Sequence, residues 1–231
     1  VILTLLAVVP ALGLWAQSMH IYQGSVVTMA NATDVESITF NDSTTLVVNG
    51  ILFPVSEIDS IVVNDEVIKT DSVIVKYAST SAQVFVPINV AKYLTTTVNG
   101  ANVSIISSQS DETALTDTTE IKYALSGSTL KGSFYQEGAY KCTLVLNGVS
   151  IISSEGAAIQ MQNGKRIDVI VADGTTNTLK DKMNGLQKAC FAIKGHAEFK
   201  GGGTLNIYGQ GAHGYKSNEY TILKKTFSCC L

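Results

Sequence analysis

The sequence predicts an all-β chain whose second half is a β-solenoid, and three observations carry that prediction. The first is composition: 231 residues hold 23 Val, 20 Ile, 21 Ser and 23 Thr, with three prolines. β-Branched side chains lose rotamer freedom in a helix and pack well on a pleated surface. The second is alternation, as in Ile167-Asp168-Val169-Ile170 and Leu205-Asn206-Ile207, which sends one side chain inward and the next outward along a strand. The third is recurrence. Residues 35–42 (VESITFND) resemble 58–65 (IDSIVVND) at an offset of 23, and VSIISS stands at 103–108 and again at 149–154, an offset of 46. Ala192-Ile193-Lys194 is echoed by Gly214-Tyr215-Lys216 at an offset of 22. A period in the low twenties suits one solenoid turn, a few short strands with their bends.

Taken in order, residues 1–14 (VILTLLAVVPALGL) are almost wholly apolar. About 14 residues are too few to span a bilayer core of roughly 30 Å but suit the apolar stretch of a signal peptide. Ala16 is the expected last residue before cleavage, so 1–16 reads as a signal peptide without its charged start, and the mature chain as secreted or surface-exposed, with no integral membrane span. Residues 17–75 read as a β-rich N-terminal repeat region, and 76–120 as a connecting β segment ending in the polar stretch 109–120 (QSDETALTDTTE). From 121 to 231 apolar runs at 142–146, 149–152, 158–161, 167–171, 191–193, 197–199, 205–208 and 220–223 are separated by Asn147-Gly148, Asn163-Gly164, Asp173-Gly174, Asn184-Gly185 and Gly201-Gly202-Gly203. These are strands punctuated by turns. The best helical candidate is 179–192 (LKDKMNGLQKACFA), interrupted by Asn184-Gly185.

Several functions are disfavoured by the same residues. Charged residues make up 15% of the chain, net charge is −3 and the pI is about 5.6, so no basic field exists to hold a phosphate backbone. Cys142, Cys190, Cys229 and Cys230 form no C-x-x-C pair, and the first two are expected to pack as small hydrophobes. Gly209-Gln210-Gly211-Ala212-His213-Gly214 matches G-x-G-x-x-G, but no helix pattern follows it, and a glycine-rich turn accounts for it. The histidines His20, His196 and His213 are too scattered for zinc. No G-x-S-x-G elbow or acid pair stands out, and the one arginine, Arg166, sits in a turn. The chain therefore reads as a non-enzyme with no catalytic residues.

From about residue 121 the chain resembles secreted bacterial carbohydrate-binding domain proteins with a right-handed parallel β-helix, some of which bind pectic polysaccharide. The resemblance rests on an ordered series: EIKYALSG at 120–127, Gly132-Ser133-Phe134-Tyr135, 140–146 with Asn147-Gly148, Gly156-Ala157-Ala158-Ile159, Gly164-Lys165-Arg166, ADGTTNTL at 172–179, Gln187-Lys188-Ala189-Cys190, IKGHAEFKGGGTL at 193–205, Lys216-Ser217, and 223–227. It covers roughly half the chain. It implies a β-helix that is incomplete at its C-terminus, because the tail Ser228-Cys229-Cys230-Leu231 fits neither the repeat nor a cap.

The resemblance also shapes the candidate site. Lys188, Lys194, Lys200 and Lys216 are expected on solenoid faces, with Lys194 stacked above Lys216 by a spacing in the low twenties. A row of ammonium groups suits the carboxylates of a uronic-acid polymer; ordinary solvated lysines are the plainer reading. Tyr208, Tyr215 and Tyr220 are candidates to lie under a sugar ring, or to pack in the core, and His196 joins the ligand-binding set. The resemblance further implies Ca2+, with Asp173 and Asp181 the nearest oxygen donors; a simple turn is the plainer reading of Asp173-Gly174. The expected function is non-catalytic binding of an acidic plant polysaccharide. The alternatives are a structural surface protein or adhesin, and a degenerate polysaccharide lyase.

Overall fold

The computed structural model describes residues 17–115 and 117–224. The expected signal peptide 1–16 and the tail from 225 on, with Cys229 and Cys230, lie outside the described residues. Among the described residues the fold is all-β, with one short helix, α1 (Ile88–Ala91), and three 3₁₀ turns. The best helical candidate, 179–192, is not a helix. Asn184, at φ +56°, sits in a loop between two strands there, and Leu179, Cys190 and Phe191 are buried from those strands. Two compact units result, one of 17–71 with 85–92, the other of 72–84 with 93–224.

In the first unit the strand pairings are antiparallel. β1 (Ser18–Gln23) and β2 (Val26–Asn31) form a hairpin, and β3 (Ile38–Asn41), β4 (Thr45–Val48) and β5 (Ile51–Pro54) form a three-stranded sheet. β6 (Ser60–Asn64) pairs with β1. The offset of 23 is therefore a duplication of hairpin, 3₁₀ turn and strand, not a pair of solenoid turns. The turn Ala32–Asp34 leads into β3 as Val55–Glu57 leads into β6. Positive φ at Asn49 and Gly50 (+49° and +80°) gives the tight primed turn that suits twisted strands. The Asn49 Oδ1 then accepts the N–H groups of Glu36 and Ser37 at 2.9 and 3.2 Å. Ile21, Ala30, Leu46, Val48, Phe53 and Ile88 make this unit's core.

The second unit is mostly parallel. Its strands, in order, are β7 (Ser72–Ser79), the start of β8 (Ser81–Pro87, whose residues from 85 on belong to the first unit), β9 (Leu94–Asn99), β10 (Ala101–Ser107), β11 (Lys122–Thr129), β12 (Gly132–Gly138) and β13 (Cys142–Ile152). There follow β14 (Ile159–Asn163), β15 (Ile167–Val171), β16 (Thr176–Lys180), β17 (Ala189–Ile193), β18 (Ala197–Lys200), β19 (Thr204–Tyr208), β20 (His213–Ser217) and β21 (Thr221–Leu223). A first parallel sheet runs β7-β11-β13-β15-β18-β21, and a second runs β10-β12-β14-β17-β20, with β9 added antiparallel to β10. The far arm of β13 pairs with β16, and β16 with β19, as a parallel branch.

Parallel register stacks like on like. Val73, Tyr123, Leu144, Val169, Phe199 and Leu223 are successive partners in the first sheet, and Val103, Phe134, Ile159, Phe191 and Tyr215 in the second. Most of these side chains are fully buried, and stacked apolar columns of this kind supply the main stabilising term. The spacing between partners is uneven: Tyr123 pairs with Leu144 in the first sheet, a short step along the chain, and Ile159 with Phe191 in the second, a longer one. The variation is absorbed by loops of different length. The two VSIISS copies consequently fall in different sheets, on β10 and β13, so their identity reflects a shared in-out pattern rather than a shared position.

Corners are made by residues that tolerate crowding. Gly127 (φ +80°) and Gly201 (φ +105°) bring the chain so close to the Tyr77 and Val171 carbonyls that a Cβ would run into them. At the β16 corner the fully buried Asn177 accepts the Val149 N–H at 2.9 Å and donates to the Thr204 carbonyl at 3.2 Å and Thr175 Oγ1 at 3.0 Å. One amide thus ties three successive strands together.

Candidate functional site

The second parallel sheet buries one side of each strand and leaves the other outward. On β14 Ile159 and Met161 point in, so Gln160 and Gln162 point out; on β17 Phe191 and Ile193 point in, so Ala192 and Lys194 point out. On β20 the inward residue is Tyr215 and the outward one Lys216. Register aligns Gln160 with Ala192 and Ala192 with Lys216. The small Ala192 leaves a low floor between longer neighbours. The loop 182–188 forms a wall beside it, and the result is a cleft of about 410 Å³ lined by Gln160, Gln162, Leu186, Gln187, Lys188, Ala192, Lys194, Lys216 and Asn218, with Ala157, Ala189 and Ile193.

That wall is held from behind. Asp181 is buried, its carboxylate accepting the Gln187 side-chain N–H at 2.8 Å and the backbone N–H groups of Gln210 and Gly211. Gln187 Nε2 also donates to the Lys182 carbonyl at 2.7 Å. The cleft is lined by three lysines and four side-chain amides and by no carboxylate or histidine. Among the described residues no acid lies within ion-pairing distance of Lys188, Lys194 or Lys216. Ammonium groups without a protein counter-ion keep their full attraction for an incoming anion, and amides both donate to and accept from hydroxyls.

The outer face of the first sheet differs. There Arg166 contacts Glu120 at 2.6 Å, Arg166 and Lys200 contact Asp168 at 3.5 and 2.8 Å, Lys141 contacts Glu120 at 3.8 Å and Lys224 contacts Glu198 at 2.9 Å. Thr143 Oγ1 donates to Glu120 at 2.9 Å. Its cations are already occupied.

The residues expected to form the site are therefore sorted. Lys188, Lys194 and Lys216 share the cleft; Lys200 is on the other face, paired with Asp168. Lys216 stacks on Ala192 rather than Lys194, because the register pairs position 192 with position 216 and so runs two positions out of step with the sequence echo. Lys194 is instead followed, just past the end of β20, by Asn218, whose N–H donates to the Ile193 carbonyl at 3.0 Å. Tyr215 turns inward, edge-on to Phe191 and Phe199 with centroids at 5.6 and 5.4 Å, and its hydroxyl pairs with Thr221 Oγ1. Burial pushes its pKa up. His196 lies at the corner after β17, stacked on Tyr220 at 4.7 Å and 3.7 Å from Glu219. Tyr208 and Tyr220 are more than half exposed but do not line the cleft.

The two acids proposed as calcium ligands each stand in a hydrogen-bonded setting. Asp173 is a turn residue accepting the Gly202 N–H at 2.6 Å, whereas the oxygens of Asp181 are taken up by N–H donors, the opposite of what a cation offers. No group of three or more His, Cys, Asp or Glu residues placed to hold a metal ion occurs among the described residues. Cys142 and Cys190 are buried free thiols, both pushed up to about 12 chiefly by burial. The cleft amides Gln160, Gln162, Gln187 and Asn218 do not figure among the residues expected from the sequence. The alternating run Ile159-Gln160-Met161-Gln162 carries the signal for the first two, since it puts both amides on one outward row.

A family model described as carbohydrate-binding domain-containing protein matches residues 109–228. No curated protein and no solved structure matches the chain.

Proposed function

The chain belongs to the family of carbohydrate-binding domain-containing proteins, and we propose that it is an exported, non-catalytic binder of an acidic, pectin-type polysaccharide. In this reading the parallel stack is a right-handed β-helix, and the outer face of its second sheet is the binding surface. One observation carries the proposal: Lys188, Lys194 and Lys216 converge with Gln160, Gln162 and Asn218 on a cleft that holds no acid. Strands about 4.8 Å apart repeat their outward side chains, and a polymer repeats its carboxylates and hydroxyls. Amides would meet hydroxyls, and ammonium groups would meet carboxylates as point charges. A cleft without carboxylate or histidine offers no acid–base pair for glycoside hydrolysis.

The test is affinity electrophoresis of the mature chain through gels containing polygalacturonate or a neutral glucan. Retardation by polygalacturonate alone, weakening as salt is added, is expected. Migration unchanged in both gels, by protein with a β-type circular dichroism spectrum, would overturn the reading.

A further inference from the structure

The first unit presents a different surface. β3 and β6 each pair on one side only among the described residues, β3 with β4 and β6 with β1. An unpaired strand edge offers a row of N–H and C=O groups to another strand. Here the side chains of both edges are also exposed and apolar: Ile38 and Phe40 on β3, Ile61, Val62 and Val63 on β6, with Phe40 at 50% and Val63 at 61%. Exposed β-branched and aromatic residues along an edge strand, on one face of β3 and on both faces of β6, are unusual in a surface that meets only water.

Charge says what fits. Residues 17–71 with 85–92 contain eight acids and two lysines, a net of −6 in a chain whose total is −3. The acids bracket the edges: Glu36 and Asp42 flank β3, Glu57 and Asp65 flank β6, and Glu36, Asp42 and Asp65 are exposed. Two copies of this chain brought edge to edge would face like charges, which disfavours self-pairing. A cationic strand would gain apolar contact and attraction together.

We infer that β3 and β6 are docking edges for an extended peptide segment of a partner in which Val or Ile alternates with Lys or Arg, added as an extra strand. The partner segment's backbone would complete the ladder, its apolar side chains would cover Phe40 and Val63, and its cations would meet the flanking acids. The duplication explains why the same combination occurs twice.

The test uses the full chain and a fluorescein-labelled peptide alternating Val and Lys, with a Val and Glu peptide as control. Fluorescence polarisation is expected to rise with the lysine peptide and not with the glutamate peptide. Phe40→Lys with Val63→Lys should weaken lysine-peptide binding at least tenfold. Should that pair unfold, Glu36→Lys with Glu57→Lys leaves both strands intact and should weaken the lysine peptide while admitting the glutamate one. Absence of lysine-peptide binding, equal binding of the two peptides, or wild-type affinity in a folded double variant would overturn the inference. Glycan retardation is read separately, so failure here leaves the polysaccharide reading standing.

Discussion

Two outer faces of one parallel unit carry cations in different company. On the first sheet Arg166, Lys141, Lys200 and Lys224 each face an acid. On the second, Lys188, Lys194 and Lys216 line a cleft with amides and no acid. The difference separates a lysine that serves the fold from one available to a ligand. Paired charges use their attraction within the protein, and unpaired ones hold it for an anion from outside.

The largest expected effect removes both faces together. Gly201→Ala forces a side chain against the Val171 carbonyl at φ +105°. The fold should lose about 3 kcal/mol or more, with a lower Tm by calorimetry. Next, Asp168→Ala removes the acid facing Lys200 and the second of the two acids facing Arg166, which keeps Glu120. It should cost about 2 kcal/mol, less than the roughly 3–5 kcal/mol of a fully buried pair because both partners reach water. Polygalacturonate retardation at a temperature where the variant is folded should stay unchanged. Lys188→Ala with Lys194→Ala and Lys216→Ala should do the reverse. Stability should move by no more than about 0.5 kcal/mol, as for ordinary surface changes, while retardation falls at least tenfold.

The smallest effect belongs to the first unit and serves as a control. Burial lowers the pKa of His20, with Glu66 opposing the shift. His20 Nε2 contacts Ser18 Oγ at 3.3 Å. A histidine held below its ordinary value binds its proton more readily in the unfolded chain. Its stabilising contribution is therefore complete above about pH 6.5 and falls as pH drops below it. Calorimetry between pH 7 and 5 should show this loss, and His20→Gln should flatten it.

Much of the fold was legible because its signals are local. The apolar runs 142–146 and 167–171 foretell strands on which Leu144, Leu146, Val169 and Val171 are buried. β16 escapes the pattern because its inward row includes Asn177, a polar residue whose partners come from two other strands and from Thr175. β20 escapes it because His213-Gly214 reads as a turn, and it is a strand only through pairing with β17. Recurrence misleads most in the first unit. A repeated segment states that a unit is copied, but not whether the copies pair parallel or antiparallel. At the site the residue types were readable, but the register was not. A small difference in loop length before β20 puts Lys216 over Ala192 and separates it from Lys194.

The most direct measurement is a lysine footprint. The folded chain is acetylated with and without saturating polygalacturonate, and each lysine is quantified by mass spectrometry. The account predicts protection of Lys188, Lys194 and Lys216, with Lys141, Lys200 and Lys224 unchanged. Protection concentrated on Lys141, Lys200 and Lys224, or no protection at any lysine under conditions of proven binding, would contradict it.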